Sequence, residues 1–294
     1  MKRIAVCSGG SLKGYAQVQV LKKIENDVKK PLCEYYDLFV GTSVGSINAG
    51  FFASGKLTAN YIESIYKNMA LQIFKKSWFP FTIPIYNRKN FLEIAVKEVG
   101  MIRMKECKTK LQITAVNLCD KRNHFFKSWE DKDGEDFLWS DVCKSFAAPL
   151  FFNSFIDENN KMVFVDGGMG FANFPVSNAL IEAFCLWPNE EYCFDLFGCG
   201  FVNEDISFEK AKSFKFVRQL GQYFDIGSAG LARAQSRLEE VGAIQQLAKF
   251  NPKIHFNYWD IEIEKKYDKF DGVEFLDYYK TIGIEMAKQP LIVA

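Results

Sequence analysis

Gly41-Thr42-Ser43-Val44-Gly45 sets a serine between two glycines at the spacing of a nucleophile elbow, G-x-S-x-G. Chemistry at such a serine needs its hydroxyl held on a tight strand-to-helix turn. The flanking residues must be tiny, so that strand and helix can approach. A helix starting beneath the serine offers unpaired N–H groups and positive partial charge to a developing anion. A Gly/Ser-rich turn with no catalytic role would carry the same five letters, so the rest of the chain has to decide.

Two other small-residue motifs follow apolar runs: Gly9-Gly10-Ser11-Leu12-Lys13-Gly14 and Asp166-Gly167-Gly168. Sites in parallel α/β sheets form at the carboxyl ends of strands, so all three motifs can share one crevice. Ser43 is then the candidate nucleophile, Asp166 a carboxylate to take its proton, and Gly10 and Ser11 backbone donors to an oxyanion. As a dinucleotide fingerprint the first loop fails at its middle glycine, where Ser11 stands. As a phosphate loop it has Tyr15-Ala16 where Lys-Ser/Thr is required. A Ser-His-Asp triad would need one of the two histidines, and the order Ser43, Asp166, His255 matches that of α/β-hydrolases. Against it, one strand and one helix precede the elbow, where such hydrolases place several strands. His255 also sits inside the alternating, strand-like run from Ile254 to Trp259. A Ser–Asp dyad remains, and since a carboxylate of ordinary pKa is a weak base, Asp166 would have to be desolvated or oriented closely on Ser43.

These groups need a scaffold. Ile4 to Cys7 reads as a strand, Tyr15 to Val28 as a helix with apolar Val18, Leu21, Ile24 and Val28, and Asp37 to Val40 as a second strand. This βαβ start implies a parallel sheet in an α/β fold. The elbow helix runs to Ser54 and ends at Gly55, and a further helix spans Thr58 to Phe74. Helices are also expected over Lys89 to Val99, Leu138 to Phe146, Val273 to Met286, and Phe214 to Phe250 with a break at Gly227 to Gly230. Strands are expected at Leu111 to Leu118, His124 to Trp129, Phe151 to Ile156, Met162 to Val165, Cys193 to Val202 and Lys253 to Trp259. Glu130 to Asp136 reads as a solvated turn. The aromatic, proline-bearing stretch Trp78-Phe79-Pro80-Phe81 reads either as a loop packed on the core or as a flap at the mouth of a lipid site.

The 294 residues show no linker or repeat, so one domain, 1–294, is expected. Its motif-bearing part is about 1–185, and a helical and strand portion, about 205–294, completes the fold. The hydrophobic share of 48% and charged share of 25% are those of an ordinary globular protein. A net charge of +1 supplies no global field to recruit nucleic acid or an anionic membrane, and no nucleic-acid partner is expected. The 29 phenylalanines suit a large apolar cavity or an interfacial surface. The first residues form too short an apolar run for a signal peptide, and no run is long enough to span a membrane. The eight cysteines lack ligand spacing, read as reduced and mostly buried, and point to a cytoplasmic protein.

In combination the motifs resemble the patatin-like phospholipase family. Gly9 to Gly14 resembles its G-G-G-x-[RK]-G oxyanion loop, Gly41 to Gly45 its elbow, and Ala147-Ala148-Pro149 its small-small-Pro segment. Asp166-Gly167-Gly168 resembles its D-G-[GA] motif and Asn173-Phe174-Pro175-Val176 its N-x-P-V. The likeness spans Ile4 to about Ala183. It implies a three-layer α/β/α sandwich with a mainly parallel central sheet, and a Ser43–Asp166 dyad with neither metal nor cofactor. It further implies an oxyanion loop of Gly9, Gly10 and Ser11, supported by Lys13, Gly14, Gly41, Gly45, Gly167 and Gly168. The implied activity is hydrolysis of acyl esters in phospholipids or other lipids, with transient contact at a membrane surface. Alternatives are a membrane-degrading effector with the same chemistry, switched on by a ligand or partner, and a non-catalytic lipid-binding scaffold. Ser11 replaces the third glycine; its N–H survives, but serine tolerates positive φ poorly and the loop is expected to sit differently. Lys13 is either a solvated residue or one that steadies the loop or meets a phosphate. The segment Phe214 to Phe250 is a candidate acyl pocket or gate.

Overall fold

Ile4 and Val6 alternate with Ala5 and Cys7, and both sets are apolar, the pattern of a strand covered on both faces. The structure is a computed structural model that describes residues 1–75, 85–130, 137–170, 172–203, 209, 212 and 231–289. In it β1 (Lys2–Cys7) leads through a glycine loop and a short 3-10 turn into α1 (Gly14–Val28). The chain continues through α2 (Leu32–Tyr35), β2 (Leu38–Thr42), α3 (Val44–Ala53), α4 (Ala59–Ile73) and α5 (Lys89–Val99). Next come β3 (Lys110–Asn117), β4 (Arg122–Lys127), α6 (Leu138–Ser145), β5 (Phe155–Asp157), β6 (Met162–Asp166) and α7 (Val176–Leu186). The last described elements are β7 (Tyr192–Phe197), α8 (Leu231–Phe250), β8 (Ile254–Trp259) and α9 (Leu276–Met286).

The sheet runs β5-β6-β3-β2-β1-β7-β8, with β4 on the other side of β3. The run β3-β2-β1-β7-β8 is parallel throughout, while β4 and β6 are antiparallel to β3 and β5 is antiparallel to β6. One sheet face buries Ala5, Cys7, Phe39 and Ile113 beneath α1, α3, α4, α6 and α9. The other buries Ile4, Val6, Leu38 and Val40 beneath α7 and α8. This is the three-layer α/β/α arrangement with a mainly parallel centre. β8 extends the sheet, so the C-terminal portion contributes to the same core.

The element boundaries differ from expectation where a backbone turn intervenes. The strand expected from Phe151 contracts to β5, because Leu150 takes a positive φ of 74°. The N–H of Phe152 then folds back onto the Ala148 carbonyl at 2.9 Å. β7 stops at Phe197, short of the expected Val202; α9 is preceded by a 3-10 turn, Val273–Phe275; and α2 and α7 are additional helices. The Trp78–Phe81 stretch, the 131–136 part of the acidic turn, and residues 213–230 lie outside the described residues. No described helix is long and apolar enough to cross a membrane.

Asp195 on β7 is fully buried and accepts hydrogen bonds from Tyr36 Oη at 2.7 Å and Asn257 Nδ2 at 2.6 Å. Burial lifts its carboxyl from an ordinary 3.8 to about 6, against the opposing pull of those hydrogen bonds. Between these values the folded chain holds a proton that the unfolded chain has lost, so stability falls as pH rises. A shift of this size amounts to about 3 kcal/mol. The stability of wild-type protein relative to Asp195→Asn should therefore drop by about that amount between about pH 4 and pH 7, measured by denaturant unfolding. Parallel pH profiles would contradict the assignment.

Candidate active site

β2 is parallel to β3 and ends with Thr42 opposite Thr114, while β6 is antiparallel and ends with Asp166 opposite Ala115. β4 occupies the far side of β3 at both positions, pairing Phe125 with Thr114 and His124 with Ala115. A strand has only two edges, so β2 and β6 share one edge of β3 and point at each other head to head. Their last residues are brought together by register alone. Ser43, the next residue after β2, donates from Oγ to Asp166 Oδ2 at 2.7 Å. Both side chains are nearly enclosed, with residue exposures of 6% and 5%.

Ser43 caps α3 with φ 54° and ψ −124°, a conformation that a residue bearing a Cβ seldom adopts. The backbone around it is pinned. The Ser43 N–H donates to Ser145 Oγ at 2.9 Å, and Ser145 Oγ donates in turn to the Thr114 carbonyl at 2.6 Å. Ser46 Oγ donates to the Ser43 carbonyl at 2.6 Å. The flanking glycines are required by close approach: a Cβ on Gly41 would lie 2.3 Å from the Gly45 carbonyl oxygen. One on Gly45 would lie 2.2 Å from that of Cys7. Asp166 is oriented from both sides, its Oδ1 accepting from the Gly168 N–H at 2.7 Å and its own N–H donating to Ala147 at 3.1 Å.

The first glycine loop lies against this pair, a Cβ at Gly9 falling 3.2 Å from that of Ser43. The Gly9 N–H donates to the Asn173 carbonyl at 2.9 Å and so belongs to the scaffold, whereas Gly10 and Ser11 follow at the turn into α1. Ser11 takes φ 52°, the conformation a glycine would adopt, and its Oγ donates to the Phe270 carbonyl. The serine is thus held at positive φ, with its side chain tethered to Phe270. Lys13 is not solvated: it is paired with Asp268, and the two side chains are 8% and 4% exposed. Such a pair is costly to break, because the survivor would be a buried, uncompensated charge. Gln17 Nε2 donates to the carbonyls of Ser8 at 3.0 Å and Phe197 at 2.9 Å. Asn48 Nδ2 ties Gln17 Oε1 to the elbow helix at 2.9 Å.

His255 does not stand where a triad would need it. His255 pairs with Cys193, which pairs with Arg3, at the amino end of the parallel strands and opposite to the elbow. His124, on β4, packs its ring on Phe126 at 4.6 Å and Phe164 at 5.3 Å. Cys199 abuts Gly10, but burial pushes its thiol up to about 12, which removes it as a competing nucleophile.

An apolar cavity of about 490 Å³, including space open to solvent, adjoins Ser43 and Ser11. α3 and α4 supply Val44, Ile47, Tyr66, Met69 and Ile73, and Phe146, Phe152 and Phe270 are among the other residues of the wall. None of these belongs to the described part of α8, and residues 214–230 of the segment expected to form the acyl pocket or a gate lie outside the described residues. Sequence reasoning missed Ser145, Gln17, Asn48, Asp268 and Phe270. Ser145 lies two residues before Ala147-Ala148-Pro149, Gln17 three after Gly14 and Asn48 three after Gly45, whereas Asp268 and Phe270 have no motif beside them.

A family model described as patatin-like phospholipase matches residues 5–180. A cGAMP-activated phospholipase of Escherichia coli (strain TW11681) is 29% identical over 202 residues, 62% of this chain and 56% of that protein. One of Vibrio cholerae is 27% identical over 206 residues, 62% and 58% of the respective chains. Patatin-12 of Solanum tuberosum is 24% identical over 275 residues, 86% of this chain and 66% of that one. The chain spans less than two thirds of the length of the two bacterial relatives.

Removing the Ser145 hydroxyl strips the strained elbow of its N–H acceptor. Ser145→Ala should slow the reaction of Ser43 with a fluorophosphonate probe by roughly tenfold or more, since small misplacements of a reacting group are costly. A wild-type rate of labelling would show that the elbow holds its shape without this bridge.

Proposed function

Because the chain belongs to the patatin-like phospholipase family, we propose that it is a serine lipid acyl hydrolase acting through a Ser43–Asp166 dyad. The observation that carries this reading is the 2.7 Å hydrogen bond from Ser43 Oγ to Asp166 Oδ2, at a strained turn beside an apolar cavity. As Ser43 Oγ attacks the ester carbonyl carbon, its proton passes to Asp166. The carbonyl electron pair moves onto oxygen, and the amides of Gly10 and Ser11 receive the oxyanion, aided by that of Val44 at the unpaired start of α3. Collapse of the intermediate expels the alcohol, which takes the proton from Asp166. Water, deprotonated by Asp166, then attacks the acyl-enzyme carbonyl; collapse of this second intermediate breaks the bond to Ser43 Oγ, which takes the proton back from Asp166, and releases a fatty acid. Near-complete enclosure and a second hydrogen bond from Gly168 hold the carboxylate in position to serve as the base. The cavity wall accepts the acyl chain, where each buried methylene contributes about 0.8 kcal/mol.

A second reading concerns control. Two bacterial relatives are named as cGAMP-activated, which supports the same chemistry held silent until a cyclic dinucleotide binds. Hydrolysis of liposomal phospholipid should then rise at least tenfold on adding cGAMP to purified protein. Equal rates with and without the nucleotide would leave an unregulated hydrolase.

The catalytic reading is tested by labelling wild-type, Ser43→Ala and Asp166→Asn proteins with a fluorophosphonate and mapping the adduct. Labelling on Ser43, with ester hydrolysis reduced at least about a thousandfold in both variants, is expected. Folded protein that neither labels nor hydrolyses any lipid, with or without cGAMP, would instead indicate a non-catalytic lipid-binding scaffold.

A further inference from the structure

Ser11 is the point at which this chain departs from a glycine-only loop, and its side chain is spent on a single contact. Its hydroxyl donates to the carbonyl of Phe270. Phe270 belongs to a strap between two 3-10 turns, Lys265–Tyr267 and Val273–Phe275. Asp268 of the strap pairs with Lys13, and Asp271 accepts from Tyr86 Oη at 2.6 Å. The Phe270 ring lies flat on Phe151, with centroids 3.9 Å apart, and Phe270 lines the apolar cavity that Ser43 and Ser11 also line. One residue therefore carries both a wall of the cavity and the acceptor that holds the oxyanion loop. The next residue in the chain of contacts, Ser11, carries both the tether and an amide assigned to the oxyanion.

We propose that Phe270 and Ser11 form a relay that reads the length of the bound acyl chain and converts it into turnover. A chain long enough to press on the Phe270 ring displaces or fixes its carbonyl, and the Ser11 tether passes that position to the oxyanion donor. Binding energy from the unreactive end of the acyl chain is thereby expressed in kcat instead of KM. Phe270 is the specificity-determining residue, and the Ser11 side chain a positioning one. The preferred substrate class is a medium-to-long acyl ester that reaches Phe270, with short acyl esters bound but turned over slowly. The inference rests on the acyl-hydrolase reading.

The test measures kcat and KM separately for p-nitrophenyl esters of four, eight, twelve and sixteen carbons, with wild-type, Ser11→Gly and Phe270→Ala proteins. Ser11→Gly keeps the amide and suits the positive φ but removes the tether. In the wild type kcat should rise with chain length by roughly tenfold or more. The ratio of long-chain to short-chain kcat should fall towards one in Ser11→Gly, while the chain-length dependence of KM persists. In Phe270→Ala the kcat ratio should flatten too, and the best chain should lengthen. A wild-type ratio retained in Ser11→Gly overturns the relay, as does a chain-length effect confined to KM. Failure of wild-type protein to hydrolyse any ester, with or without cGAMP, and with Ser43 unlabelled by fluorophosphonate, overturns the acyl-hydrolase reading itself and the relay with it. Relay failure alone leaves Ser43 labelled and the esters hydrolysed.

Discussion

Two strands that run in opposite directions end on adjacent residues of a third, and the rest of the site depends on that meeting. Thr42 stands opposite Thr114 and Asp166 opposite Ala115, on the same edge of β3. The spacing of neighbouring residues on a strand is fixed by backbone geometry, so the Ser43 hydroxyl after one terminus and the Asp166 carboxylate at the other are held in contact by the sheet. No loop has to find the pairing. Side-chain packing adds only orientation, through the Gly168 N–H on one carboxylate oxygen and Ser43 on the other.

That arrangement forces strain elsewhere. Ser43 has to turn the chain from β2 into α3 within one residue, and does so at positive φ. Such a conformation costs on the order of 1–3 kcal/mol and persists only where the surroundings over-determine it. Here they do: Ser145 bridges the elbow N–H to β3, Ser46 closes on the elbow carbonyl, and Gln17 and Asn48 bind the first loop to both helices. Apart from Asn48 Oδ1, which is buried without a hydrogen-bond partner, these side-chain atoms are satisfied, and satisfied buried networks rigidify a site.

The chemistry also needs a boundary between polar and apolar surroundings. The Gly9–Ser11 loop is that boundary. Its amides, the dyad and the Lys13–Asp268 pair lie along the polar backbone side, while Ser11 and Ser43 border a cavity walled mostly by aliphatic and aromatic side chains. On the proposed acyl-hydrolase reading, an ester would lie across this boundary, with its hydrocarbon among Ile47, Met69 and Phe152.

The sequence by itself determined the α/β alternation, the elbow, the two glycine-bearing motifs and the identity of the Ser–Asp pair. Each is a matter of local spacing: apolar periodicity, residues small enough for a tight turn, and a scarcity of histidine. It determined helices closely where periodicity was strong, as in Lys89–Val99. It overran β7, and it misread Phe151 and Phe152, because a single positive φ at Leu150 ends extended structure without a glycine to announce it. Only the tertiary structure decided which groups surround the site. The head-to-head register of β2 and β6 is a pairing across more than a hundred positions. Ser145 meets Ser43 102 residues away, and Asp268 meets Lys13 at a separation of 255. Local sequence patterns do not encode such distant partners; burial of the intervening chain does, since a hydroxyl or a carboxylate sealed from water has to find its counterpart inside the fold.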